Sequence, residues 1–154
     1  MKKFILGFFA LVAFSFVNAQ TTSDYVELVR TQLKAEKKVV VMEVLQLSDA
    51  EATVFWPLYD EYNGKMYTVQ TKRVQLIKDF AKNYENMTPE VADDLVKRMF
   101  AIKGELLKLD QTYYKKFKKV LPLTKVASYF QLENKIETLV NAELAVEIPL
   151  LQGN

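Results

Sequence analysis

The amino-acid sequence predicts an all-α fold of four helices, dominated by a long, bent, antiparallel helical hairpin. Apolar residues recur at spacings of three and four, which places them on one face of a helix. The chain of 154 residues contains only 4 Gly and 4 Pro, too few for the many tight turns of a β-sandwich or barrel. Two segments also begin with residues typical of helix starts. These observations together favour helices throughout.

Residues 1–19 have the pattern of a cleaved signal peptide. Two lysines precede an almost unbroken apolar run over residues 4–17, and Ala19 ends an A-x-A-like cleavage site. The run is shorter than the roughly 20 residues that cross a bilayer, so an uncleaved anchor is the less favoured alternative. We expect an exported, periplasmic protein cleaved near Ala19. Its mature chain, residues 20–154, is then a single helical domain without a stable membrane span.

The residue types exclude several classes of function. The chain has no Cys and no His, which excludes disulfides, thiol nucleophiles, imidazole catalysis and Cys/His zinc sites. Loss of the two signal-peptide lysines reduces the basic residues from 21 to 19, equal to the 19 acidic ones. This balance disfavours nucleic-acid binding. No phosphate-binding glycine loop or nucleophile motif is present, so we expect no enzyme activity, no cofactor and no metal site.

The first helix is predicted over residues 23–46. The β-branched run at residues 39–42 would suit a strand, but no second strand is predicted to pair with it. The second helix starts after Ser48, because Ser48 and Glu51 form a capping box in which each caps the other's backbone amide. Pro57 lies inside this helix and predicts a kink, since proline removes a backbone hydrogen bond.

The third helix starts with Thr88 as its N-cap and Pro89 as its first residue. Its apolar residues form a seam with coiled-coil spacing: Leu95, Met99, Ile102, Leu106, Leu109, Tyr113, Phe117 and Val120. Pro122 should end it after Leu121. The loop at residues 85–87 is short, so the second and third helices must be antiparallel.

The fourth helix is predicted to start with Thr124 as its N-cap and to end before Pro149. Folding the hairpin about its short loop places Phe55 beside Phe117. We therefore expect an aromatic cluster at the base of the hairpin, made by Phe55, Trp56, Tyr59, Tyr113 and Phe117. In a hairpin this long, apolar seam residues that the other helices do not cover must face solvent, a client or a second copy of the chain. We expect a homodimer that covers them.

One segment near the end of the third helix interleaves lysines with aromatic residues, which could hold an unfolded, partly acidic polypeptide. Its candidate client-binding residues are Tyr114, Lys115, Lys116, Lys118 and Lys119, to which we add Arg73. The alternative is a helix end whose lysines are solvated and suit the helix dipole. Arg73 interrupts the apolar seam of the second helix. It either extends into solvent or pairs with an acid of the fourth helix, such as Glu133.

Two helix starts resemble a known family. Residues 47–51 (LSDAE) and 123–127 (LTKVA) resemble the L-T-x-x-Q motif of the periplasmic Spy/CpxP-like family, with Ala127 where the family has Gln. Residues 55–59 (FWPLY) and 129–136 (YFQLENKI) also resemble exported helical relatives of that group. The resemblance implies a cradle-like helical dimer. Some members are ATP-independent chaperones, others damp envelope-stress signalling, and related sensors respond to heavy metals.

The favoured expectation is a chaperone-like protein that binds unfolded or partly folded envelope proteins. The alternative is a regulatory partner of an envelope-stress sensor or anti-sigma system, which predicts one tight partner instead of many clients. A metal sensor is less favoured, because the chain lacks His and Cys.

Overall fold

A computed structural model describes residues 36–151 of the chain. The chain divides into two compact units, with the division between Val40 and Val41. In the first unit the described residues, 36–40, are helical. The predicted signal peptide and residues 23–35 of the predicted first helix lie outside the described residues.

Residues 36–151 form four α-helices and one 3₁₀ helix, and they include no strand. The predicted all-α fold is therefore confirmed, and the β-branched run at residues 39–42 is helical. The elements in chain order are α1, which ends at residue 45, α2 (Asp49–Asn83), a short 3₁₀ helix (Tyr84–Asn86), α3 (Pro89–Phe117) and α4 (Leu123–Glu147).

The starts of α2 and α3 lie where the sequence predicts them. The backbone N–H of Ser48 donates to Oε2 of Glu51 over 2.8 Å, and the N–H of Glu51 donates to Oγ of Ser48 over 3.4 Å. At the start of α3, Oγ1 of Thr88 accepts from the N–H of Val91 over 3.3 Å, and Pro89 is the first helical residue. The capping chemistry predicted from the sequence is confirmed at both starts.

The end of α3 differs from the prediction, because the helix stops at Phe117 and not at Leu121. The N–H groups of Val120 and Leu121 both donate to the carbonyl of Phe117, over 3.0 and 2.9 Å. This tightened turn leaves the Leu121 side chain buried among the aromatic residues of the core. Burial of Leu121 therefore accompanies the early end of the helix.

The predicted N-cap of α4 is wrong. The helix begins at Leu123 with Pro122 at the N-cap position, and no side chain caps its first amides. Thr124 lies inside the helix, where its carbonyl accepts from Oγ of Ser128. Pro122 has a ψ of 140°, and it turns the chain into the helix two residues before the predicted cap at Thr124.

Three ion pairs join α2 to α3 along the hairpin. Each lysine or arginine contacts a carboxylate on the other helix: Lys116 with Glu61 at 3.0 Å, Lys72 with Glu105 at 2.7 Å, and Arg98 with Asp79 at 2.6 Å. From one pair to the next, the number of residues gained along α2 equals the number lost along α3. The three pairs therefore share one antiparallel register.

The core lies at the base of the hairpin, where α4 packs against α2 and α3. Phe55 lies 5.3 Å from Phe117 between ring centroids, as the predicted register requires. Tyr129 of α4 extends this cluster, 5.0 Å from Phe117 and 5.6 Å from Phe55. The fully buried side chains are Val41, Phe55, Tyr59, Tyr62, Tyr113, Phe117, Val126 and Tyr129. Interlocking aromatic pairs of this kind each contribute about 0.5–1.5 kcal/mol beyond area burial.

Candidate functional site

The predicted client-binding segment lies beside a shallow groove at the base of the hairpin. Tyr114 is partly exposed and its ring lies 6.0 Å from that of Phe130 on α4. Nζ of Lys118 lies 5.5 Å from the Tyr114 ring centroid, within cation–π range. The groove, here called the basal groove, holds about 430 Å³ and is lined by Asp110, Gln111, Tyr114, Leu123, Val126, Ala127 and Phe130.

The lysines of this segment have different surroundings. Lys115 and Lys119 are exposed. Lys116 is half-buried: its Nζ contacts Glu61 and lies 4.6 Å from the ring centroid of Tyr113. Lys116 therefore takes part in contacts within the hairpin. The exposed lysines remain the candidates for client binding.

Glu61 has the most perturbed carboxylate at the base of the hairpin. The Tyr113 hydroxyl, Lys116 and Lys65 beside it hold the pKa of Glu61 at about 2, because all three stabilise the charged form. Burial raises the pKa of Tyr59, Tyr62 and Tyr129 well above the usual tyrosine range. These hydroxyls stay protonated and do not act as bases, and that of Tyr62 donates to Oδ1 of Asp110 over 2.6 Å.

Arg73 does not join the predicted lysine segment. Its Nη2 donates to Oδ1 of Asn141 over 2.7 Å, so the α4 residue that it contacts lies two helical turns beyond the suggested Glu133. The neighbouring pair of Lys72 with Glu105 places Arg73 opposite the middle of α3. Ten residues of helix, about 15 Å, separate that level from Lys115.

A second groove, here called the distal groove, surrounds Arg73. It holds about 500 Å³ between α2, α3 and the C-terminal part of α4. Most of its lining is apolar, and its polar lining consists of Arg73, Lys103, Glu137 and Asn141. The apolar lining residues are Leu76, Ile77, Phe80, Leu95, Val96, Met99, Ile102, Leu106 and Ile148. A concave apolar pocket with a few polar groups at one place is the usual form of a small-molecule site.

The exposed face of α3 carries a row of apolar side chains, here called the α3 stripe: Val96, Phe100, Leu107 and Tyr114. All four are exposed, Phe100 to 62% and Leu107 to 59%. At 100° per residue they fall within an arc of about 40° on the helix. Exposed apolar residues aligned in this way mark interaction surfaces more often than scattered ones do.

Lysines border the α3 stripe. Lys97, Lys108 and Lys115 lie about 60–80° around the helix from its edge, with Asp93 nearer to it on the same side, and Lys103 interrupts it; all of these residues are exposed. Lys97 forms an ion pair with Asp93, one turn before it. The stripe thus combines apolar contact area with positive charge along most of one helix.

Sequence reasoning missed both the α3 stripe and the distal groove. The stripe has a detectable signal, because each of its residues directly follows a residue of the predicted coiled-coil seam, as Phe100 follows Met99. The groove has none, since it depends on where α4 lies against the hairpin.

The described part of the chain also bears on metal and membrane contacts. Within residues 36–151, no three or more Asp or Glu side chains group as metal ligands would. None of the helices described has an apolar stretch long enough to cross a bilayer.

No family model, curated protein or solved structure matches the chain. The Spy/CpxP-like resemblance therefore stays a prediction based on its motifs.

Proposed function

We propose that the protein is an exported, ATP-independent chaperone-like protein that binds unfolded or partly folded envelope proteins. The observation that carries the proposal is the α3 stripe, a row of exposed apolar side chains bordered by lysines. The signal-peptide pattern and the family resemblance support the same function. The proposal includes a homodimer, whose interface would cover part of the apolar surface.

Binding by such a surface is weak and reversible. Burial of apolar area contributes about 25 cal/mol per Å², so a client that covers two or three exposed side chains gains only a few kcal/mol before its ordering cost. The exposed lysines add local attraction to acidic client segments, which salt screens over about 10 Å at 0.1 M. A client can therefore dissociate and refold without nucleotide hydrolysis.

The test measures aggregation of two unrelated unfolding proteins, with and without this protein, at low and high salt. The protein is expressed from the full sequence and purified as the cell processes it, with its N-terminus read by mass spectrometry. We expect suppression of both clients at modest molar excess. The variant Phe100→Ser/Leu107→Ser should lose most of this suppression. The control Leu139→Ser changes an equally exposed apolar residue on α4 and should keep it.

Two results would contradict the proposal. If neither client is protected, general chaperone action is wrong, and the alternative is a dedicated regulatory partner of an envelope-stress sensor or anti-sigma system. That alternative is tested by affinity capture of a single tight partner from envelope extracts. If Leu139→Ser loses as much suppression as the stripe variant, the α3 stripe is not the client surface.

A further inference from the structure

The distal groove is polar at one end and apolar at the other. The contact of Lys72 with Glu105 places Arg73 and Lys103 at the same level of the hairpin, and Arg73 holds Asn141 of α4 there. At the opposite end the lining is apolar, with Phe80, Leu95 and Ile148.

The chain after α4 borders that apolar end. Ile148 lines the groove, and the hydroxyl of Tyr84 donates to the carbonyl of Leu150 over 3.1 Å. This hydrogen bond joins the segment after α4 to the hairpin turn. The apolar end is therefore bordered by α2, α3 and the segment after α4.

The charge at the polar end is net positive. Arg73 and Lys103 outnumber Glu137, the acidic residue of the lining, which lies one turn before Asn141 on α4. A guanidinium and an ammonium together favour a carboxylate or another anionic head group. The negative charge of Glu137 opposes binding of an anionic head group, but it balances only one of the two cations.

The dimensions fit one extended chain. The lining of α3 runs from Leu95 to Leu106, eleven residues or about 16 Å of helix, of which about 12 Å lies between Lys103 and Leu95. A volume of about 500 Å³ over the full length gives a mean cross-section of about 30 Å². This accommodates one acyl chain, since apolar carbons pack at about 4 Å from their neighbours.

We propose that the distal groove binds a free long-chain fatty acid, with its carboxylate between Arg73 and Lys103 and its chain directed toward Phe80 and Ile148. The inference does not rest on the proposed chaperone function, because Phe100 and Leu107 do not line the groove, although Val96 of the stripe and Lys103 beside it do. The chemistry requires a single acyl chain and an anionic head group; a phospholipid has two chains and does not fit.

Isothermal titration calorimetry tests the proposal, with the full sequence expressed and purified as the cell processes it. The probes are myristate, hexanoate and tetradecyltrimethylammonium, all below their micellar concentrations, and phosphatidylglycerol vesicles. We expect myristate to bind one to one. Hexanoate lacks most of the apolar chain and the ammonium amphiphile has the opposite charge, so each should bind at least ten-fold more weakly. The vesicles should not bind.

Variants separate the groove from the rest of the surface. Arg73→Met and Lys103→Met should each weaken myristate binding about ten-fold, since each removes one cation from the head-group end. Lys97→Met lies on the same helix outside the groove and should leave binding unchanged, as should Phe100→Ser/Leu107→Ser. Circular dichroism confirms that each variant is folded.

The proposal is overturned if myristate does not bind, or if the ammonium amphiphile binds as tightly. It is also overturned if folded Arg73→Met and Lys103→Met both bind myristate like the parent protein. Loss of client protection by Phe100→Ser/Leu107→Ser with intact myristate binding would support both functions separately.

Discussion

Glu51 links two helix starts through one carboxylate. It completes the capping box of α2 with Ser48, and it accepts from Nζ of Lys125 on α4 over 2.6 Å. Lys125 also donates to the carbonyl of Gln46, which directly follows α1 and has a φ of 43°. The hydrogen bond from Lys125 is the main reason that the pKa of Glu51 is lowered. A capping residue predicted from local sequence therefore also makes a long-range contact.

The cap at Ser48 predicts a difference between two similar substitutions. Ser48→Ala removes the acceptor for the Glu51 amide and should cost about 1 kcal/mol of unfolding free energy. Thr124→Ala is the matched control, since Thr124 caps nothing, and it should change stability by less than about 0.5 kcal/mol. Urea denaturation followed by circular dichroism measures both. Equal losses in the two variants would show that Thr124 caps α4 after all.

Alternating charges set the register of α2 against α3. From the base to the tip, α2 presents Glu61, Lys72 and Asp79, and α3 presents a charge of opposite sign at each level. These pairs are partly exposed, so each contributes little to stability. Their arrangement favours this alignment of the hairpin over shifted ones, because sliding one helix along the other separates each charge from its partner of opposite sign.

Charge reversal tests one of these three ion pairs, Lys72 with Glu105. Lys72→Glu places two carboxylates together and should cost up to about 1 kcal/mol, because a half-exposed pair is worth about 0.2–1 kcal/mol. Glu105→Lys in the same chain should restore most of the loss. A double-mutant cycle from urea denaturation measures the coupling free energy. A coupling of zero would mean that Lys72 and Glu105 do not contact each other in solution.

Glu61 predicts an acid-sensitive hairpin. Its pKa is about 2 in the folded chain against an ordinary value of 4.5, so its charge stabilises the fold above pH 4.5. That stabilisation is lost progressively as the pH falls from 4.5 to 2. Glu61→Gln should therefore flatten the decline of unfolding free energy across this window. Urea titrations at several pH values measure it, and parallel declines in both proteins would contradict the lowered pKa.

The starts of α2 and α3 were predictable from the sequence, whereas the start of α4 and the end of α3 were not. The caps at Ser48 and Thr88 involve neighbours three residues apart, so local sequence contains all of their partners. The end of α3 depends on burial of Leu121, and the partner of Arg73 is Asn141, 68 residues away. Such contacts require the position of α4, which no local pattern specifies. The same reason explains why the distal groove was missed while the aromatic cluster was expected.

Packing is uneven along the second unit. The buried residues of α2 are Phe55, Tyr59, Tyr62 and Val69, and none lies between Val69 and its end at Asn83. The base of the hairpin has three helices around an aromatic core, whereas the distal part borders the open groove. Local stability should therefore decrease from the base toward the hairpin turn.

Hydrogen exchange detects this gradient. Amides of α2 near Tyr59 and of α3 near Tyr113 should exchange only through global unfolding, because opening there exposes the aromatic core. Amides near Phe80 and Val91 should exchange faster, through local opening of the distal part. Phe117→Ala, which removes a fully buried ring, should cost about 3–5 kcal/mol and accelerate exchange at the base. Uniform protection along both helices of the parent protein would contradict this gradient, because it would mean that the hairpin opens only as a whole.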